Sequence, residues 1–205
     1  WLRAVRIAGF AVLGLVVLVA AVLGLLNTAP GKRLVADQIA ALEFENGMKI
    51  TVGRIEGSLY GNMILRDLSV KDPKGEFLFS PEVKVDWRPF AYLNNHVDLR
   101  SATAERMLLR RVPMFNPVPE TDEPLLPDLD IDIDRLRVAR LIAEKPVTGQ
   151  EQAATISGRA HIASGRAQVW LDGRTLGAGP TGGGDLLRVM LDAVPEAEKL
   201  ALDIN

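Results

Sequence analysis

Residues Ile7 to Leu26 constrain this chain more than any other stretch, because twenty consecutive residues carry no charged, amide or hydroxyl side chain. As a helix rising about 1.5 Å per residue, the run covers roughly 30 Å, the hydrocarbon thickness of a bilayer. Thirteen of its residues are Leu, Val, Ile or Phe. At roughly −0.3 to −0.6 kcal/mol each near the helix centre, they favour insertion by about 4–8 kcal/mol. The run exceeds the apolar core of a cleaved signal peptide. Its exit, Asn27-Thr28-Ala29-Pro30, also lacks a small residue three before a cut at Ala29. The expectation is an uncleaved anchor, residues 1–27, with the rest of the chain held at a membrane surface. Arg3 and Arg6 on one side balance Lys32 and Arg33 on the other, so local charge does not decide orientation. A six-residue stub ahead of a folding domain favours a cytoplasmic N-terminus. The bulk of the chain is then expected outside the cytoplasm, which in a Gram-negative bacterium is the periplasm.

Residues 28–45 read as a juxtamembrane helix. Thr28 suits an N-cap and Pro30 the first turn. Leu34, Val35, Ile39 and Leu42 form an imperfect stripe, fit to lie on the membrane or to plug the end of the next element, and Asn46-Gly47 stops it. From Met48 the apolar period changes from helical to two. Ile50 and Val52 begin it, and Ile64, Leu68 and Val70 follow. Phe77, Phe79, Val83, Val85 and Trp87 share one parity against Glu76, Glu82, Lys84, Asp86 and Arg88. Pro81 within that run demands an edge or a bulge, and Arg88 to Leu93 is a break about one helical turn long. Leu136 and Val138 fall out of phase with Leu129, Ile131 and Ile133, as a bulge causes. The segment 113–127 holds five prolines and a cluster of acids, and marks a loop and a possible internal boundary. The expected fold is mainly β: a transmembrane helix and a short amphipathic helix, then an elongated, curled antiparallel meander over residues 46–205. That sheet carries one apolar face, and the alternation still running at the chain end reads as part of a longer protein.

Chemistry-bearing motifs are sparse. The absence of cysteine excludes disulfides and thiolate metal sites, and a net charge of −2 gives no global attraction to nucleic acid. Asp128, Asp130, Asp132 and Asp134 resemble a calcium loop but lack its glycine and its twelfth-position Glu, so they read as the wet face of a strand. His96 and His161 have no ligand-spaced neighbours. Arg110-Arg111 reads as a solvated charge pair. Trp170, out of parity with Val169 and Leu171, reads as one member of a cross-strand pair on the polar face. No nucleophile, base and oxyanion site assembles, so no catalytic residue, cofactor or metal is expected. The informative feature is the apolar parity set. It forms either a dry core or an open trough for phospholipid acyl chains. A free sheet edge that pairs client β-strands is the alternative function.

The spacing Gly53-x-Ile55-x-Gly57-Ser58-Leu59, then Leu65-x-Asp67-Leu68, Asp72-x-x-Gly75 and Pro81 to Pro89, resembles the N-terminal region of the TamB family. That family is the inner-membrane subunit of the translocation and assembly module, in the AsmA-like group. Leu26 to Gly31 after the anchor adds to the likeness. The resemblance implies a curled periplasmic β-sheet with an apolar groove, linked to outer-membrane protein assembly, secretion and phospholipid transport. It also implies an outer-membrane β-barrel partner, met through a C-terminal region that has no counterpart here, and no enzymatic activity. By parity, Val83, Val85, Trp87, Leu129, Ile131 and Ile133 match the family's inward positions and are the lipid-groove candidates.

Overall fold

The structure is a computed structural model that describes residues 21–42, 44, 46–117, 130–163, 166–176, 185–194 and 199–204. Most of the apolar stretch (7–20), Asp128, Leu129, the Pro-rich segment from 118 onward, Ser164-Gly165 and the glycine-rich 177–184 lie outside them. Residues 21–26 are helical, and among the described residues no helix is long and apolar enough to cross a membrane.

The chain is mainly β, as its period predicts. Helix α1 (Ala29–Ala40) precedes β1 (Lys49–Gly57), β2 (Asn62–Asp72) and β3 (Gly75–Trp87). A 3-10 turn (Pro89–Asn94) leads to β4 (His96–Ala104), β5 (Met107–Leu109) and β6 (Asp130–Ala143). After the single-turn α2 (Lys145–Thr148) come β7 (Gln152–Ala163), β8 (Arg166–Thr175), β9 (Leu186–Val194) and β10 (Lys199–Ile204). All these strands form one sheet, ordered β1-β2-β3-β4-β6-β7-β8-β9-β10, and β5 continues the line of β4 between β3 and β6. Every pairing is antiparallel except those of β4 and β5 with β6, which are parallel. That junction departs from the expected meander. A proline-rich connection of more than a dozen residues cannot close a hairpin, but it is long enough to bring the chain back for a parallel strand.

Thr28 caps α1 as expected, its side chain accepting from Gly31 N, with Pro30 in the first turn. The helix plugs one end of the sheet: Ala36 is buried with Val52, Ile55 and Leu59, and Val35 and Ile39 pack beside it. Leu34 and Leu42 instead face outward, each 53% exposed. Two of the four expected stripe residues thus lie off the buried side, whose centre is the small Ala36.

Bulges decide which strand residues face the core. Leu136 and Val138 are out of phase with Ile131 and Ile133 because the β6–β7 register shifts between Ile133 and Leu136, and again between Val138 and Leu141. In β2, Asp67 takes a φ of 53° and resets the alternation. Met63, Leu65 and Leu68 therefore pack with the cores, whereas Ile64, expected beside Leu68, pairs with Glu56 and Lys84. In β3 the reset falls at Ser80-Pro81. Val83, Val85 and Trp87 join one cluster. Phe79 instead lies under the Arg110 guanidinium, and Phe77 packs edge-on against Phe115. Beside this reset the β4 line breaks into β5, and Ser80, 1% exposed, holds its hydroxyl 2.8 Å from Arg106 O and 3.0 Å from Glu82 O. Proline's missing N–H is thus accommodated where the neighbouring strand is itself interrupted.

Candidate functional site

Register assembles the apolar positions into continuous rows across the sheet. Trp87 pairs with Leu99, then Ile133, Ala160, Val169 and Leu191 follow in line. A second row runs from Val85 through Ala102, Leu136, Gly158 and Leu171 to Val189. A third joins Val83, Ala104, Val138 and Ile156. Val83 and Val85 are each 8% exposed at the centre of this face, and Trp87, Ile131 and Ile133 are half-buried. The five groove candidates within the described residues therefore share one face, joined through β4. Leu99, Ala104, Val138 and Leu171 belong to the same rows but were not singled out, because two bulges and a parallel pairing separate them from the others in sequence.

This face is one layer deep. Every extensive contact between elements joins neighbouring strands, α1 to β1, or the 3-10 turn to β4. Among the described residues no large apolar side chain is under 2% exposed. A two-sheet sandwich buries apolar residues from both inner faces, and no such layer covers β4–β9 among the described residues. From β3 to β9 the rows span five inter-strand steps, about 24 Å at roughly 4.8 Å per step. Where α1 meets β1, a cleft of about 970 Å³ is lined by Lys32, Arg33 and Arg54 together with Asp37, Glu56 and Asp67, so its charges balance.

The opposite face is charged and paired. Arg66 bridges Glu56 at 3.0 Å and also meets Glu82, and Arg100 reaches Asp86 at 3.4 Å. Arg188 meets Asp172 at 2.8 Å, and Arg166 pairs with Asp192. Trp170 pairs with Arg159, whose guanidinium lies 4.4 Å from the ring centroid, so the expected cross-strand pair is present.

Two clusters were not legible in the sequence. His96 Nε2 lies 2.8 Å from Asp132 Oδ2, and His161 Nδ1 lies 2.5 Å from Asp132 Oδ1. The parallel β4–β6 pairing and the β7 register bring both rings to one carboxylate. Burial opposes ionisation of Asp132, but its hydrogen bonds with His161 and His96 outweigh burial and hold its carboxyl below the usual range. The second cluster corrects the reading of Arg110-Arg111 as solvated. Arg111 donates from both terminal nitrogens to Asp72, whose side chain is fully buried, and Arg110 Nε lies 2.9 Å from Glu76. The Arg111 guanidinium, with backbone N–H groups of Met114 at 2.6 Å and Lys74 at 2.7 Å, holds the Asp72 carboxyl well below the ordinary carboxylate range despite its burial. Asp72 thereby ties the β2–β3 turn to the segment after β5, a structural rather than a chemical role. Among the described residues no group of three or more His, Asp or Glu is arranged to hold a metal.

No protein-family profile, curated protein or solved structure matches this chain.

Proposed function

We propose that this chain is the membrane-proximal part of a periplasmic bridge that carries phospholipid acyl chains along the apolar face of its curled sheet, towards the outer membrane. The observation that carries this reading is the set of three apolar rows with no covering layer beyond α1 among the described residues. Such a face is costly to leave in water. Each methylene it shelters gains about 0.8 kcal/mol, so a lipid tail and the sheet stabilise each other. The face is wider than the roughly 15 Å that one leaflet of acyl chain occupies. The likeness to the TamB family at Gly53 to Pro89, together with the apolar N-terminal stretch, supports an inner-membrane anchor, the periplasmic placement and a role in outer-membrane assembly. Transfer of this kind breaks no bond and requires no catalytic group.

The alternative is a scaffold that adds client strands at a free edge. It draws on β10, which among the described residues is paired only with β9.

Phospholipid that co-purifies with the anchored chain in mild detergent tests the proposal. Ile131→Asp and Leu171→Asp each place a charge on a half-buried position of the apolar face. Both should lower the bound phospholipid several-fold while circular dichroism stays unchanged, and Arg188→Asp on the charged face should not. Undiminished lipid on folded Ile131→Asp and Leu171→Asp proteins would contradict the trough.

A further inference from the structure

We propose that the 3-10 turn Pro89–Asn94 is a second membrane contact, seated in the headgroup–acyl boundary of the bilayer that holds the N-terminal stretch. The inference rests on the anchor reading of Ile7–Leu26. Phe90 and Tyr92 are each 60% exposed and Leu93 is 81% exposed, beside one another on one short turn. In a 3-10 helix residues i and i+3 eclipse, so Phe90 and Leu93 share one side. From Pro89 to Asn95 there is no charged residue.

The turn is firmly mounted. Trp87 Nε1 donates to Leu59 O at 3.0 Å, Arg88 N donates to Asp98 O at 2.9 Å, and the Arg88 guanidinium meets the Asp98 carboxylate at 2.6 Å. Its level relative to the anchor is set by Tyr60. The Tyr60 ring stacks on Phe90, centroids 6.2 Å apart, and its hydroxyl donates to Leu23 O at 2.6 Å. Leu59 N also donates to Asn27 Oδ1 at 3.0 Å. Leu23 lies three residues before the apolar stretch ends. The Tyr60 hydroxyl is therefore about 4–5 Å inside that end along the helix axis. Interfacial elements bury their apolar side about 5–10 Å, and Tyr is enriched at that depth. The geometry thus brings Phe90 to the level at which aromatic side chains favour the interface. A rigid second contact would also fix how the sheet leaves the membrane, which a single helix free to rotate does not.

The chain has no cysteine, so single-cysteine nitroxide labels have no background. Leu93→Cys, Val16→Cys and Glu151→Cys are each reconstituted in vesicles of phosphatidylethanolamine and phosphatidylglycerol. Collision rates with oxygen and with an aqueous nickel chelate then report depth. Glu151 is exposed and lies at the opposite strand ends from Asn27, so it serves as the aqueous reference. The expected result is an oxygen-to-nickel ratio at 93 several-fold above that at 151 and below that at 16. A ratio at 93 equal to that at 151, with 16 in hydrocarbon, overturns the turn contact and leaves the anchor intact. A water-like ratio at 16 overturns the anchor and this inference with it.

Discussion

Asp72 shows how much of this sheet's order depends on single polar side chains. Its carboxylate is fully buried and accepts from Arg111, Lys74 and Met114, so its ionised form is strongly preferred in the fold. A carboxyl whose folded pKa lies below its unfolded value stabilises the protein above the unfolded pKa, about 3.9 for Asp. That contribution is lost as the pH falls through the folded value. Thermal melts in detergent should therefore show Asp72→Asn less stable than wild type at pH 7, with the gap closing below about pH 4. An equal melting temperature at pH 7 would remove Asp72 from this role. Asp67 makes a second case. At a φ of 53°, a β-branched residue is strained by about 1–3 kcal/mol, so Asp67→Val should destabilise by that amount and Asp67→Gly should be near neutral in denaturant titrations. Equal effects of the two would mean that the side chain, not the backbone, sets the bend.

Among the described elements, α1 is the one that closes part of the apolar face. Ile39 packs on the cluster formed by Ala36, Val52, Ile55 and Leu59, while Leu34 is exposed. Ile39→Ala should cost about 1–2 kcal/mol and Leu34→Ala less than about 0.5. Hydrogen exchange over 29–41 would follow the same order. A larger effect at Leu34 would mean that α1 docks by its other side. The strands themselves were largely readable from period two, since an alternating pattern leaves few choices for a half-exposed sheet. Residues within a strand were misassigned where one backbone position resets the alternation, as Asp67 does for Ile64 and Ser80-Pro81 does for Phe77 and Phe79. Pro81 announced an irregularity because it lacks an N–H, and the irregularity is the break between β4 and β5 beside it, with no register shift at Pro81 itself. Asp67 announced nothing, since an Asp in the left-handed region is a local choice that composition does not reveal.

For the molecule as a whole, pairing between distant segments created what the sequence left scattered. Val85 and Ile133 lie in adjacent rows only because β6 returns parallel to β4, and that same pairing carries Asp132 to His96. The sequence shows that apolar positions exist, but not that they form rows with no second layer over β4–β9 among the described residues. A sheet of this kind, apolar on one side and ion-paired on the other, is most stable with something seated on the apolar side, and lipid tails are the occupant proposed above.

The most direct test is photocrosslinking in cells, with the reactive side chain placed at Val85 and at Ile131 on the apolar face and at Asp86 as the outward control, and the adducts identified by mass spectrometry. The account predicts phospholipid adducts at Val85 and Ile131 and none at Asp86. Adducts confined to polypeptide, whether of a client or of the chain itself, would contradict it.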